Sequence, residues 1–173
     1  MIFEFARKYL AVKRRLKAKY YTWRIRRVAK ICGNGLKVNG KSSVTRNTYL
    51  GENVNFNGMK IGGGGRVSIG NNFHSGPECL MISQNHNFDD GKKIPYDNTY
   101  CYKDITIEDQ VWLGSRVIIL GGVTIGEGAI IQAGSVVVSD IPKYAIAGGH
   151  PCKVFKYRDI EHYRSLKDQG LFH

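Results

Sequence analysis

The sequence predicts an all-β solenoid, in which the chain winds into stacked coils, with a helical segment at each end. Between Ile105 and Pro142 an aliphatic residue recurs every six positions. A small or β-branched residue follows four positions later, and glycine is abundant, with 21 in 173 residues. The aliphatic positions are Ile107, Leu113, Ile119, Ile125, Ile131 and Val137, and the small ones are Val111, Val117, Val123, Ala129 and Ser135.

A period of six fits neither a helix nor a simple hairpin strand, but it fits a short strand, a turn and another short strand. Three such sides make one triangular coil of about 18 residues, stacked on the next coil at ~4.8 Å. The aliphatic residue then points into the prism, and the small residue fits its narrow interior. A run of ordinary buried strands is the alternative, and the constant register of the blocks argues against it.

The segment from Val111 to Val154, which ends in GGHPCKV, resembles the C-terminal half of the hexapeptide-repeat acyltransferases. In particular, it is similar to the branch that acetylates sugars, antibiotics and surface polysaccharides. The resemblance covers about residues 36–158 and implies a left-handed parallel β-helix. It also implies an enzyme that takes acetyl-coenzyme A as its acyl donor.

We expect a basic amphipathic helical segment at residues 1–32, the repeat at 33–158 with an extruded loop at 83–104, and a C-terminal helix at 159–173. Asp159 should cap that last helix, Gly170 should end it, and the helix should cover the strand edge of the last coil. Four cysteines without a C-x-x-C pair indicate neither a metal knuckle nor a disulfide framework, which favours a cytoplasmic protein. The sequence has no apolar run close to the ~20 residues of a membrane span, and it has no signal-peptide pattern.

The N-terminal segment holds most of the net charge. Residues 1–30 contain 11 of the 26 Lys and Arg residues and one of the 14 acidic residues, which gives this segment a net charge of +10. The rest of the chain contains 15 basic and 13 acidic residues, so its net charge is only +2. A basic helix with an apolar stripe suits an anionic membrane surface, here at the inner face of the membrane. Packing against the solenoid or a neighbouring subunit is the alternative, and nucleic-acid binding is a weaker third interpretation. The stripe consists of Ile2, Phe5, Tyr9, Val12, Leu16, Tyr20 and Trp23.

The repeat stops after Ile82 and resumes at Ile105, so the polar residues between them must leave the prism as a loop. The loop contains His86, and an imidazole ring suits the removal of a proton from a hydroxyl group near neutral pH. In the family that this sequence resembles, a loop at this place carries the catalytic histidine, which His86 matches. One polar neighbour should orient the ring by accepting its other N–H. The candidates are Asn85, Asn87, Asp89 and Asp90.

The resemblance also implies residues that bind coenzyme A, which in this family lies along the solenoid between adjacent subunits. Ser115 and Ala133 match positions where successive coils meet its pantetheine arm, and Lys153 and Lys156 match basic residues that meet its phosphates. A basic residue common in the family is missing from the segment 138–140, and Lys143 is a candidate substitute. Trp112 should point outward, either as a wall of the cleft or as a subunit contact.

The sequence therefore predicts an acetyl-coenzyme A-dependent O-acetyltransferase of a sugar or polysaccharide-precursor hydroxyl, with His86 as general base and no metal. The resemblance and the flat sides of the prism favour a homotrimer with its cleft between subunits. N-acetylation of an amino-sugar nucleotide is the alternative in the same class, and a non-catalytic interaction scaffold is one in another class. A metal site of the γ-carbonic anhydrase kind would need three histidines, for which only His74 and His86 are candidates.

Overall fold

The computed structural model describes residues 2–173, with side chains described from Glu4 onward. Met1 and the side chain of Ile2, which the predicted stripe includes, therefore lie outside the described part. The chain forms a left-handed parallel β-solenoid of about six turns, with an N-terminal helix and a short C-terminal helix. Three sheets form the sides of the prism. The fold class predicted from the six-residue period is thus confirmed.

The strands are short, and the three sheets alternate along the chain. Sheet I contains β1 (Ile31–Cys32), β3 (Thr48–Leu50), β6 (Val67–Ile69), β11 (Ile105–Ile107) and β14 (Thr124–Ile125). Sheet II contains β2 (Lys37–Val38), β4 (Asn55–Phe56), β7 (His74–Ser75), β12 (Trp112–Leu113), β15 (Ile130–Ile131), β17 (Ala145–Gly149) and β18 (Cys152–Tyr157). Sheet III contains β5 (Met59–Gly62), β8 (Cys79–Ile82), β13 (Ile118–Leu120) and β16 (Val136–Val137).

The interior of the prism is filled by the residues that the six-residue period selects. The aliphatic residues that open the blocks are at most 1% exposed, and the small residues four positions later are at most 2% exposed. Nearer the N-terminus, the rings of Phe56 and Phe73 meet edge to face inside the prism, with centroids 5.9 Å apart. Burying a large aliphatic side chain contributes about 1.5–3 kcal/mol, so this column of residues stabilises the whole stack.

The outer faces of sheets I and III differ in chemistry, although both belong to the same coils. Sheet I presents mainly polar side chains outward, and sheet III presents mainly aliphatic ones. The outward row of sheet I begins with Ile31 and continues with Tyr49, Ser68, Thr106 and Thr124. The outward row of sheet III begins with Lys60 and continues with Leu80, Ile118 and Val136, and a second row consists of Ile82 and Leu120.

One turn of the solenoid is much longer than the others. Thr106 pairs with Ser68, 38 positions earlier, and with Thr124, 18 positions later. The extra residues leave the prism between sheets III and I as an antiparallel hairpin of β9 (Gln84–His86) and β10 (Tyr100–Tyr102). This hairpin occupies the region in which the sequence predicts an extruded loop.

The run of four glycines before this turn makes room for the base of the hairpin. Gly63 has a φ of +107°, a conformation that other residues rarely adopt. A Cβ atom at Gly64 would overlap the ring of Tyr102, and one at Gly65 would lie 2.7 Å from the carbonyl oxygen of Lys103. The glycines therefore allow the hairpin to pack against the preceding coil.

Helix α1 (Ile2–Val28) packs on the solenoid through its last turns. Ile25 is buried, Tyr21 packs against the core, and the Thr22 hydroxyl accepts a hydrogen bond from the backbone N–H of Val38 at 3.0 Å. Residues 4–17 are all exposed. Within the described residues, neither helix combines the length and the apolar character that crossing a membrane requires.

The C-terminal segment runs along the side of the prism, whereas the sequence predicted a cap over the last coil. Strand β18 pairs antiparallel with β17 and extends sheet II at that end. Helix α2 (Ile160–Asp168) begins after Asp159, whose carboxylate accepts a hydrogen bond from the N–H of His162 at 3.0 Å, as an N-cap should. Since the end of the chain reaches the second coil, where Asn53 donates to the backbone oxygen of His173 at 2.8 Å, the segment passes over several coils.

Glu127 holds helix α2 in this position. The Tyr163 hydroxyl donates to the Glu127 carboxylate at 3.2 Å, and Lys167 pairs with the same group. Burial raises the pKa of Glu127, but the hydrogen bonds and charge from Lys167 and Tyr163 outweigh it and leave that pKa below its usual range. Burial and the neighbouring Glu127 raise the pKa of Tyr163. A charged Glu127 therefore binds a neutral tyrosine and a charged lysine of the helix.

Candidate active site

His86 ends strand β9, and two tyrosine rings flank its imidazole. The ring centroid of Tyr96 lies 3.7 Å from that of His86 at an interplanar angle of 16°, and the centroid of Tyr100 lies 4.7 Å away at 37°. Tyr100 is the cross-strand partner of His86 in the hairpin, and Tyr96 comes from the segment that joins the two strands. Stacking on Tyr96, together with contact with the tilted ring of Tyr100, restricts the plane of the imidazole.

The polar neighbours named from the sequence do not orient this ring within one subunit. Nδ1 of His86 is buried and has no hydrogen-bond partner among the described residues. Asn85, Asp89 and Asp90 are exposed, and the side chain of Asn87 accepts from the backbone N–H of Asp90 at 3.1 Å. Within this subunit the groups that contact the imidazole are tyrosines, so an orienting role for Asn85, Asn87, Asp89 or Asp90 stays a prediction.

A shallow cavity of about 390 Å³ lies beside His86 on the outer face of sheet III. Its lining combines the aliphatic side chains of Leu80 and Ile82 with Gln84, His86 and Tyr100. The imidazole therefore lies next to the aliphatic face, at the edge where sheet III gives way to sheet I. An apolar groove with a few polar groups at one end is the usual character of a small-molecule site.

Ser115 and Ala133 lie at the other edge of sheet III, on the turns that lead from sheet II into it. They are one coil apart, and the N–H of Gly134 donates to the carbonyl oxygen of Ser115 at 2.8 Å. A Cβ atom at Gly114 would lie 2.5 Å from the backbone nitrogen of Ala133, so the coils approach closely at this edge. The structure thus brings Ser115 and Ala133 together in a column of small residues, with His86 across the same sheet.

Lys153 and Lys156, both predicted to meet phosphates, are exposed on β18 but have different surroundings. Lys153 pairs with Gly148, which packs against Gln132 beside Ala133. Lys156 pairs with Ile146 and lines a cavity on sheet II instead. Lys153 therefore lies nearer the column of small residues than Lys156 does.

Lys143 does not replace the basic residue that is missing from positions 138–140. Its ammonium group lies 3.4 Å from Glu108 and 3.8 Å from Glu127, at the edge between sheets I and II. This edge is not the one that carries Ser115 and Ala133. Lys143 was a candidate because it follows positions 138–140 closely in sequence. Within those few residues, however, the chain turns from sheet III to sheet I, so Lys143 lies at a different edge of the prism.

Trp112 and His74 lie on sheet II, away from the edge that carries His86. They are cross-strand neighbours and line a cavity of about 740 Å³ between sheet II and the C-terminal segment. His74 stacks on His173, with centroids 5.2 Å apart. Burial lowers the pKa of His74, and the charges of His173 and Lys37 lower it further. The described residues contain no group of three or more His, Cys, Asp and Glu side chains that could hold a metal.

Sequence reasoning missed Tyr96 and Tyr100 as neighbours of His86. The available signal was the tyrosine content of the loop, with residues 96, 100 and 102 all tyrosine. The position of Tyr100 depends on the register of the β9–β10 hairpin, in which it lies opposite His86. Composition alone does not determine that register, because no two-residue turn motif fixes it.

Comparison with known proteins agrees with this architecture. The sequence model of a family described as bacterial transferase hexapeptide (six repeats) matches residues 104–139. The galactoside O-acetyltransferase of Escherichia coli K12 is 37% identical over 112 residues, which cover 64% of this chain and 54% of that protein. The chain spans about half the length, or less, of the curated relatives that it matches.

Two solved structures extend the comparison over most of the fold. A galactoside acetyltransferase in complex with coenzyme A superposes with a TM-score of 0.66 at 32% identity, covering 76% of this chain and 67% of that one. A hexapeptide-repeat acetyltransferase from Vibrio cholerae superposes with a TM-score of 0.67 at 26% identity, covering 76% of each chain. The chain belongs to the hexapeptide-repeat transferase family. Within that family its similarity is to members named as acetyltransferases.

Proposed function

We propose that this protein is an acetyl-coenzyme A-dependent O-acetyltransferase that acts on a hydroxyl group of a sugar or polysaccharide precursor. The observation that carries the proposal is His86, an imidazole that stacks on Tyr96 and contacts the tilted ring of Tyr100 at the edge of an aliphatic groove. The similarity to a galactoside O-acetyltransferase supports a sugar acceptor, and the coenzyme A complex of a structural neighbour supports the donor.

His86 acts as the general base of a direct transfer. Because Nδ1 is buried, Nε2 is the nitrogen that accepts the proton of the acceptor hydroxyl. The oxygen attacks the thioester carbonyl, a carbon–oxygen bond forms, and the carbon–sulfur bond breaks to release coenzyme A, whose thiolate takes up the proton that His86 had accepted. Backbone N–H groups stabilise the negative oxygen of the tetrahedral intermediate. No acyl-enzyme is needed, and the aromatic clamp keeps the imidazole aimed during the attack.

The donor lies along the column of small residues at the edge between sheets II and III. Ser115 and Ala133 leave backbone groups open to the pantetheine arm there, since neither carries a bulky side chain. Lys153 supplies the positive charge for a phosphate, and an ammonium group serves this purpose as a point charge. Lys156 and Trp112 face the cavity on sheet II, so their predicted contacts require the neighbouring subunit.

The active assembly is a homotrimer in which sheet III packs against a neighbour. The aliphatic rows that begin at Leu80 and Ile82 leave a flat apolar face on each subunit. Packing of this face removes it from water, and three heterologous contacts, each joining sheet III of one subunit to a different face of the next, close a ring. The same face carries the cavity beside His86, so its neighbour completes the cleft. We place the protein in the cytoplasm.

Free thiol release from acetyl-coenzyme A, measured with a panel of sugars and amino sugars, tests this function. His86→Ala should lower kcat by about 10²–10⁴ and leave the affinity for coenzyme A almost unchanged. His74→Ala, on a different sheet, is the matched control and should keep the activity of the wild type. Turnover of the His86 variant within about threefold of wild type would remove His86 from the mechanism. Transfer to amines alone would replace O-acetylation by N-acetylation.

A further inference from the structure

Helix α1 carries an apolar face that the solenoid does not cover. Phe5 is 81% exposed, and the other described residues of the stripe are 54–62% exposed. These residues are Tyr9, Val12, Leu16, Tyr20 and Trp23. A row of six large apolar side chains along one helix is an unusual surface for a protein that stays free in water.

The stripe faces away from the solenoid because a different side of the helix is attached to it. Tyr21 and Ile25 make the attachment, and at 100° per residue they lie on roughly the opposite side of the helix from Leu16 and Trp23. The attached side is therefore already occupied, and the stripe remains available along its whole described length. The anchored last turns set the direction in which the remaining helix leaves the body.

The residues beside the stripe are basic. Helix α1 contains ten Lys and Arg residues and one acidic residue, Glu4, which pairs with Lys8 at 3.3 Å. Lys13 and Lys19 lie next to Leu16 on the two sides of the stripe, where a long side chain can extend its charge beyond the apolar edge. The helix thus carries an apolar stripe with positive charge along both borders, two of the features of a helix that binds an anionic lipid surface.

We propose that helix α1 is a docking surface for an anionic lipid bilayer. Aromatic and aliphatic side chains of the stripe enter the boundary of the acyl chains, and the flanking Lys and Arg side chains meet the phosphates of the headgroups. The alternative occupant, the same helix of a second copy, is disfavoured by charge. Two helices with a net charge near +9 each would repel along their entire contact, whereas an anionic surface neutralises them.

This inference stands apart from the acetyl transfer, since it rests on the helix and not on His86. Docking of the helix would nevertheless bring the solenoid close to an acceptor held at the membrane. Each subunit of an assembly would present one helix, and several weak contacts with one plane bind more tightly than a single contact. The anchored turns near Ile25 would then hold the solenoid at a fixed distance from the bilayer.

Flotation of the full chain with vesicles tests the proposal. Vesicles of phosphatidylcholine with phosphatidylglycerol should carry the protein at low salt, release most of it at high salt, and bind it much more than vesicles of phosphatidylcholine alone. Leu16→Ser should lower binding to the anionic vesicles by about tenfold, because a leucine that enters the interface is lost. Leu10→Ser is the matched control. Leu10 is 58% exposed against 61% for Leu16, yet it lies about 120° away around the helix.

Three outcomes would overturn the proposal. The full chain could fail to float with anionic vesicles at low salt, or the Leu10 and Leu16 variants could lose binding equally. In the third, Leu16→Ser would change the sedimentation of the protein without vesicles, which would assign the stripe to a second copy. Helix content, measured by circular dichroism, should be the same in both variants. If the stripe binds lipid, the Leu16 and Leu10 variants should differ from each other only in their binding to vesicles.

Discussion

Sheets I and III are built from the same coils, and they bury the same kind of residue but expose opposite kinds. On the inside, Ile107 of sheet I and Ile119 of sheet III are both at most 1% exposed. On the outside, Thr106 of sheet I corresponds to Ile118 of sheet III in the same coil. The inward residues are what the coil needs in order to fold, and they are alike. The outward residues are not constrained by packing inside the prism, so the difference between them indicates whether each face contacts solvent or another molecule.

The solenoid can fold with either a polar or an aliphatic outer face, so the chemistry of each outer face indicates its surroundings. Ser68, Thr106 and Thr124, which follow Ile31 and Tyr49 on sheet I, are well solvated, whereas exposing rows of leucine, isoleucine and valine on a flat sheet to water costs free energy. The hairpin that carries His86 leaves the prism at the border between the two faces. The two faces thus support our proposal that sheet III meets another subunit and the donor, while sheet I meets solvent.

The strongest test of this comparison is a charge placed on each face in turn. Ile118→Lys should prevent trimer formation and lower activity by about 10²-fold or more, because an unpaired ammonium group would be buried and the cleft would lose one wall. Thr106→Lys changes the matching outward position of sheet I and should leave both unchanged. Sedimentation equilibrium measures the assembly against the monomer mass of 19.4 kDa. A trimer that survives Ile118→Lys, or one lost with Thr106→Lys, would reverse the assignment of the faces.

The next test compares the two lysines of β18 that the sequence predicts to meet phosphates. Lys153→Ala should raise the KM for acetyl-coenzyme A by about tenfold, because a charge-assisted phosphate contact is lost while the base is retained. Lys156→Ala should have a smaller effect, since Lys156 faces the cavity on sheet II. The KM of the acceptor should change little in both. If dephospho-coenzyme A thioesters showed the same defect as the complete donor, Lys153 would not contact the 3′-phosphate.

A finer test concerns the clamp at the border of the two faces. Tyr96→Leu should lower kcat by about three- to tenfold with the KM for acetyl-coenzyme A unchanged, because aromatic stacking is worth ~0.5–1.5 kcal/mol. Tyr96→Phe keeps the ring and should keep the rate. Tyr96 is thus a positioning residue, and steady-state kinetics of the two variants separate stacking from any role of the hydroxyl. Equal losses in both variants would contradict stacking as the cause.

The smallest expected effect lies on sheet II, which the C-terminal segment covers. Since the pKa of His74 is lowered in the folded protein, the unfolded chain binds more protons, and stability should decrease as pH falls from about 6.5 toward the lowered value. His74→Gln should flatten the dependence of Tm on pH in that window. The same substitution at the exposed His150 is the control for the loss of one histidine. An unchanged slope in His74→Gln would contradict a lowered pKa of His74 in the folded protein.

The repeat was predictable because its information is local. Each six-residue block encodes one side, and residues such as Leu113 and Ile131 occupy the interior that their spacing indicates. The break in the spacing after Ile82 likewise located the hairpin and its histidine. Local encoding also placed the N-cap at Asp159, since the cap bonds to a residue only three positions away.

What could not be predicted depends on contacts between distant residues. Tyr163 reaches Gln110, 53 positions earlier, and no local pattern marks that pair, so the path of the C-terminal helix was predicted wrongly. The clamp on His86 depends on the pairing of two strands across a loop, and the direction of the α1 stripe depends on how Ile25 packs. In each case the sequence supplies a suitable surface and only the tertiary structure decides what it meets.

The long turn has a consequence for how such a protein can change over generations. Since Thr106 finds one partner 38 positions back and the other 18 positions forward, with the same pairing on both sides, the inserted residues do not shift the pairing of any strand. Lengthening, shortening or exchange of the hairpin would therefore leave the rest of the chain in register. Variation in the hairpin changes the surroundings of His86, while the strands of the prism keep their pairing. The two parts of one chain are thus open to selection separately.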